Sequence, residues 1–489
     1  MTTENRTAQP SAATDEEAQG PSGPPDHRPS FRFAAFSLLA VLVVLGVSVF
    51  VLALPTIVAI LLAFLTAFVA GLLLRLPYER VQGFAFDSVR QGMSPLFIIT
   101  AVGAMIGAWI TSGTVPTIVF FGLHVLSPDH LLVGTVLLCI LTSMATGTSY
   151  GTVGTVGIAL VAVAHGMQVP LAPVAGAIVC GAWFGDKMSP LSDSTNLSSA
   201  MAGVDLVAHI RHLLWTTVPA VAVSLGLFAF LDARRTTTSG SAAAARQLSA
   251  ELQAHFHTSP VTLAPAVLVI VLLALRRPAF LSIVAGALCA VPVAVLVQGA
   301  SPATALASLG TGYTRQTGDK VVDTLLVQGG VEGMMPTVGI MMLALAMAGV
   351  LGRSGILAAL LERVVHTVSN RRRLMVTSVF VTLLSASISN SSSSHVISGN
   401  LLRPLYDRYG VDRRNLSRIL EDNATCATAA MPWVDSAVYV SATLGVAATA
   451  YAPYAVFCLL SPVISLFWAV TGLTVTGAGE SEKAVADAV

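Results

Sequence analysis

Residues 185–196 read Gly-Asp-Lys-Met-Ser-Pro-Leu-Ser-Asp-Ser-Thr-Asn, a polar, charged stretch between two long apolar runs. Gly185 and Pro190 oppose a continuous helix and free backbone carbonyls. Hard cations take oxygen ligands. Asp193 with Ser192, Ser194, Thr195 and Asn196 offers a carboxylate, hydroxyls and an amide for that chemistry, and Asp186 adds a second acid. Asp186 and Lys187 also fit a solvated turn. Asp205 reads as the N-cap of a helix through His209 and Leu213.

A second polar break runs from Thr142 to Thr152, with Thr146, Thr148 and Ser149 as neutral oxygen donors. Its counterpart, Ser385 to His395, contains Asn390, Ser394 and His395, and histidine is the side chain suited to proton exchange in the physiological range. Close helix packing through small residues explains the same composition. Further on lie Leu420-Glu421-Asp422-Asn423-Ala424-Thr425 and Pro432-Trp433-Val434-Asp435-Ser436. Glu421 reads as an interfacial pair with Arg418, whereas Asp422, Asp435 and His395 join Asp193 as proton-coupling candidates. A carboxylate that holds either a proton or a cation is the simplest physical basis for antiport.

The elements that must position these groups are membrane spans. The 489 residues are 54% hydrophobic and 10% charged, against about 25% charged in soluble domains. Apolar runs near the ~20 residues that cross a bilayer recur from Phe33–Leu54 and Thr56–Leu74 onward. A charge at membrane depth costs at least ~2.5–3.5 kcal/mol, so the acids in the breaks are paired, face a cavity or work. The net charge of +1 and the absence of a basic tract give no sign of nucleic acid. Five cysteines in apolar segments without paired spacing read as small buried hydrophobes. His209 and His212 flank Arg211 as a basic inner-face cluster, and 354–369 reads as an amphipathic surface helix.

The chain repeats itself. Pro190-x-x-Asp193-Ser194, then Ser199-Ala200-x-x-Gly203-Val204, returns 242 residues later as Pro432-x-x-Asp435-Ser436, then Ser441-Ala442-x-x-Gly445-Val446. Gly107-x4-Ser112-Gly113 returns at the same offset as Gly349-x4-Ser354-Gly355. Equivalent loops differ in basic residues: 127–129 has none, while its partner region reaches Arg371-Arg372-Arg373. Because Lys and Arg favour the cytoplasmic side, the halves are expected to be inverted, with five to seven spans each. The expected organisation is a disordered cytoplasmic tail (1–31), a first transmembrane repeat (32–231), a polar linker (232–260), a second repeat (261–475) and a C-terminal tail (476–489). The fold class is an all-α polytopic membrane protein of two inverted repeats with broken or re-entrant helix hairpins. Such repeats are typical of secondary transporters.

"GDKMSPLSDSTNLS" followed by "GVDLVAHIRHLLWTTVP" closely resembles the signature of NhaC-type sodium/proton antiporters, and "NLSRILEDNAT" with "PWVDS" resembles their second-half motif. The resemblance covers about Arg75 to Gly472. It implies an ion-transporter-type fold in the bacterial inner membrane, crossed many times, and exchange of sodium for protons. On the reading of the residues themselves, Asp193 is the expected sodium (metal) ligand. Some members couple this exchange to organic acids. The resemblance places Asp186, Ser189, Asp193, Ser194, Thr195 and Asn196 on the first motif and Glu421, Asp422 and Thr425 on the second. This chain has Ser389-Asn390-Ser391-Ser392 where an acidic Gly-Asp-Gln-Tyr run is expected, and Val434 followed by Asp435 where Pro-Trp-Asn is expected.

The leading expectation is therefore a sodium/proton antiporter working by alternating access, without a cofactor. The alternative is a sodium- or proton-coupled organic acid or amino acid exchanger. The expected partners are a small cation, a proton, a small organic acid in the alternative reading and the lipid bilayer, with a homodimer compatible with them. Gly147-Thr148-Ser149-Tyr150-Gly151 fits the letters of a hydrolase nucleophile elbow, but that motif needs a preceding strand and its flanks here are apolar spans.

Overall fold

The computed structural model describes residues 29–52, 54–125, 128–234, 249–275, 277–316 and 329–474. Among them helices are the only regular secondary structure. Six helices are long and apolar enough to cross a membrane, or up to eight when bent pairs count as one span. Others are shorter or interrupted, as at the two polar breaks. Large apolar side chains such as Leu141, Trp215 and Val223 stay exposed, as a lipid-facing surface requires. Most of the N-terminal tail, part of the linker and the C-terminal tail lie outside the described residues.

The helices that build the site are α1 (Leu131–Thr146), α2 (Ser149–Gly166), α3 (Leu171–Met188), α4 (Asp193–Ala202), α5 (Leu206–Arg234), α6 (Gly330–Arg353), α7 (Arg371–Ile388), α8 (Ser391–Tyr409), α9 (Arg413–Leu420), α10 (Asp435–Leu444) and α11 (Val456–Thr471). A π-helical turn, Glu421–Cys426, continues α9.

Each break has a local cause. Gly147 ends α1 at φ 71°, a left-handed conformation that glycine takes without strain. Thr148 then caps the next helix by accepting from the Gly151 N–H. In the second half Asn390 does the same for the Ser393 N–H at 2.7 Å. Helices α4 and α10 start at residues 242 apart and end in Gly203 (φ 68°) and Gly445 (φ 67°). Gly113 and Gly355 form another left-handed pair at that offset.

Helix α3 lies against α1 at backbone distance. A Cβ on Gly185 would stand 2.5 Å from Ser143 Cβ and 2.6 Å from Met144 N. Ser143 Oγ donates to the Ala182 carbonyl at 2.6 Å, fixing the register of the two helices. The halves meet through Trp183 Nε1, which donates to the Thr425 carbonyl, and Tyr439 OH, which donates to the Tyr150 carbonyl.

Two expectations need correction here. Asp232 is not linker: buried in the last turn of α5, it accepts from the Leu132 and Val133 N–H groups that open α1. A short helix, Ser249–His255, follows before the second half. His209 and His212 are buried, bonded to Ser417 and Asn415, because α5 packs its polar stripe against α9 rather than presenting it to water. By contrast, Asp205 does cap α5 through the Ala208 N–H, and Ile356–Val365 forms the amphipathic helix, with Ile356, Leu357, Leu360 and Leu361 inward.

Candidate functional site

The last turn of α3 carries Asp186 and Lys187 into the interior, where both are buried. Asp186 Oδ2 accepts from Ser149 Oγ at 2.6 Å, and Oδ1 accepts from Ser192 Oγ at 2.5 Å. Ser192 occupies the N-cap of α4, where a serine normally accepts from the helix's own backbone. Its side chain makes no such cap bond and is committed to Asp186 instead. Thr195 closes the turn by donating to the Asp186 and Lys187 carbonyls.

From Ser192 the polar chain continues across the boundary between the halves. Ser192 Oγ lies 3.0 Å from Ser194 Oγ, which lies 2.8 Å from Glu421 Oε1. Ser198, one turn further along α4, donates to Glu421 Oε2. Two carboxylates, Asp186 and Glu421, are thus bridged by two hydroxyls, and each has one further serine donor.

Counting hydrogens shows what this bridge lacks. A serine hydroxyl has one proton and accepts through its lone pairs. With both carboxylates ionised, Ser149 and Ser192 donate to Asp186 while Ser194 and Ser198 donate to Glu421. The Ser192–Ser194 contact then has no hydrogen. One proton on either carboxylate completes the run, and the hydroxyls point one way or the other according to which end carries it. A cation held to one side, in contact with both hydroxyl oxygens, satisfies the facing lone pairs instead.

His395 stands beside Glu421. Its Nδ1 lies 2.7 Å from the Ser391 carbonyl, an acceptor only, so Nδ1 carries a hydrogen. Nε2 then faces Thr425 Oγ1 at 3.3 Å and Glu421 Oε2 at 3.6 Å. Among the described residues no group of three His, Cys, Asp or Glu is placed to hold a metal ion. The oxygen-rich run suits a hard monovalent cation as cargo.

The expected residues divide. Asp186, Ser149, Ser192 and Ser194 come together at the bridge, and Asp422 lies behind it, paired with Lys187 at 2.5 Å. Asp193 is corrected: expected as the buried cation ligand, it is exposed at the first position of α4. The register of α4 turns Ser192, Thr195, Ser198 and Ser199 inward and Asp193, Asn196 and Ala200 outward. Asn196 instead donates to the Pro190 and Ser192 carbonyls. Thr148 and Asn390 are helix caps, Ser394 donates to the Thr382 carbonyl and Asn423 to that of Ile419. Thr146 Oγ1 is buried without a hydrogen-bond partner among the described residues.

Asp435 borders a separate cavity of about 20 Å³, lined also by Ser387, Ser389, Asn390 and Trp433, and none of Asp186, Asp193 or Glu421 reaches it. Its neighbour Ser436 bonds Thr428 and Tyr150. Among the described residues, Asp193 does not line the cavity beside Asp435. Glu421 is not paired with Arg418 at an interface: both are buried, and Arg418 donates to Thr474. Lys187 and Ser198 were not singled out as ligands from sequence, though Ser194 and Ser198 share a face at i, i+4 spacing.

The Na+/H+ antiporter family profile matches residues 29–230 and 181–473. The chain belongs to this family. It is 36% identical over 445 residues to the Na(+)/H(+) antiporter NhaC of Alkalihalophilus pseudofirmus, covering 90% of this chain and 96% of that protein. It is 34% identical over 446 residues to the malate-2H(+)/Na(+)-lactate antiporter of Bacillus subtilis, covering 89% and 95%. The arginine/ornithine antiporter ArcD of Halobacterium salinarum is 32% identical over 457 residues, covering 92% and 93%. As a Na+/H+ antiporter family member, the chain is a multi-pass membrane transporter, and the inward-facing acids of α3 and the π turn are its buried polar centre.

Proposed function

We propose that the protein exchanges sodium for protons by alternating access, at the Asp186–Ser192–Ser194–Glu421 bridge, in a bacterial inner membrane. The observation that carries this reading is the run of close contacts from Asp186 through Ser192 and Ser194 to Glu421, in which the Ser192–Ser194 contact is short of a hydrogen when both carboxylates are ionised. A proton or a cation completes the bridge, and the two cannot do so together, which is the exclusion that antiport needs. The carboxylates are buried, so neither ligand is replaced freely by water. Family membership and the names of the relatives support the same cargo.

A second reading is exchange of an organic acid or amino acid coupled to sodium or protons. Its support is the relatives whose names include malate, lactate, arginine and ornithine. Purified protein in acid-loaded proteoliposomes separates the two. Under the first reading a sodium pulse alone raises internal pH. If pH stays flat with sodium and moves only when a particular organic solute is added, sodium/proton exchange is rejected as the principal activity.

A further inference from the structure

Behind the bridge lies a second charged site that the exchange chemistry does not use. The Lys187 ammonium sits 2.5 Å from Asp422 Oδ1 and 3.3 Å from Thr216 Oγ1, with the Phe457 ring centroid 5.5 Å away. Thr216 also donates to Asp422 Oδ1, at 2.9 Å. Lys187 and Asp422 are fully buried, and Asp422 Oδ2 has no hydrogen-bond partner among the described residues. Four elements converge on the ammonium: the end of α3, the π turn, α5 and α11.

This surrounding matches what a bare monovalent cation needs: one carboxylate at short range, one hydroxyl, an aromatic face and a spare carboxylate oxygen. Lys187 fills it with a cation tethered to the chain. We infer that the Lys187 ammonium permanently occupies a second cation position, so that the protein takes up one sodium rather than two. Removing the ammonium leaves Asp422, Thr216 and the Phe457 ring around a vacated space of the right charge. The inference rests on sodium being the cargo at the neighbouring bridge, and it adds a count to that reading.

Equilibrium binding of radioactive sodium to purified protein in nanodiscs tests it. Wild type is expected to bind one sodium per chain, with a Hill slope of one. Lys187→Ser is expected to bind two, and Lys187→Ser combined with Asp422→Asn to return to one. A folded Lys187→Ser protein that still binds one sodium overturns the inference while leaving the bridge reading intact, and so does wild type binding two. Wild type binding none overturns both. Should Lys187→Ser not fold, the neutral pair Lys187→Met with Asp422→Asn decides. Retention of one sodium at unchanged affinity supports a separate second position, and loss of that sodium assigns the pair to the exchange site and overturns the inference.

Discussion

Ser149 and Ser192 each donate one hydrogen bond to Asp186, at 2.6 and 2.5 Å, yet only Ser192 lies between the two carboxylates. Alanine at either position removes a bond to a charged group, worth about 1.5–3 kcal/mol. If holding Asp186 ionised were all that mattered, the two variants would behave alike. Weakening the ionised form favours the proton over sodium, so the apparent KM for sodium should rise about 10- to 150-fold in each, since every 1.4 kcal/mol is tenfold. In Ser149→Ala, saturating sodium should restore the full rate, because the path from Asp186 through Ser192 and Ser194 to Glu421 is intact. In Ser192→Ala the path is cut, and proton transfer through positioned groups is worth about 10²–10⁴-fold, so the maximal rate should stay at least about 100-fold down. The assay is sodium-driven alkalinisation of acid-loaded proteoliposomes, read with a pH-sensitive dye across a sodium titration. Recovery of the wild-type maximal rate by Ser192→Ala at saturating sodium would refute the bridge.

Glu421→Gln should abolish exchange while leaving folding intact, since a carboxamide keeps hydrogen bonding to Ser194 and Ser198 but cannot ionise; transport by a properly folded variant removes Glu421 from the mechanism. Asp193→Asn should keep its maximal rate within about twofold. It should lose about 0.3–1 kcal/mol of stability from the start of α4, measured by thermal unfolding in detergent. Gly185→Ala should cost about 1–3 kcal/mol, read as a lowered thermal midpoint, because the added Cβ meets Ser143 and the Met144 backbone. Asp435→Asn should leave sodium-driven alkalinisation near wild type, because its cavity is separate from the bridge; a loss as deep as that of Glu421→Gln would merge the two sites.

The interruptions of the helices were legible in the sequence because their causes are local. Gly147 and Thr148, Pro190 and Ser192, and Ser389 and Asn390 are turn and cap residues, and each stands at a helix end. Asp205 as a cap was legible for the same reason. The direction in which α4 faces was harder to read, because its inward stripe is serine and threonine rather than apolar. Arg418 and Glu421, three apart, look like neighbours on a regular helix. The π turn that begins at Glu421 changes the register there, so the acid meets α4 and His395. Lys187 had no local signal, since its partner Asp422 is 235 residues away in the chain.

The repeat marks Asp193 and Asp435 for a physical reason other than burial. Asp193 and Asp435 match at the common offset because each is the first residue of a short helix, where an acid favours the positive end of the helix dipole. Shared residues of this kind mark the shared scaffold, as the paired caps Thr148 and Asn390 and the paired glycines Gly203 and Gly445 also do. The groups of the buried centre are not shared. At the same offset Asp186 faces Thr428 in the alignment, Lys187 faces Ala429, Glu421 faces Val179, Asp422 faces Cys180 and His395 faces Val153. Two copies of one scaffold can rock about a common centre, but identical charges from both would place like carboxylates against each other and repel. Divergence at these positions lets the first half supply Asp186 and Lys187 and the second supply Glu421, Asp422 and His395, so that the acids are spaced by hydroxyls and one is held by an ammonium. Within this internally repeated chain, the charged residues gathered in the buried centre are those that break the repeat, and the acids that keep it stand at helix starts.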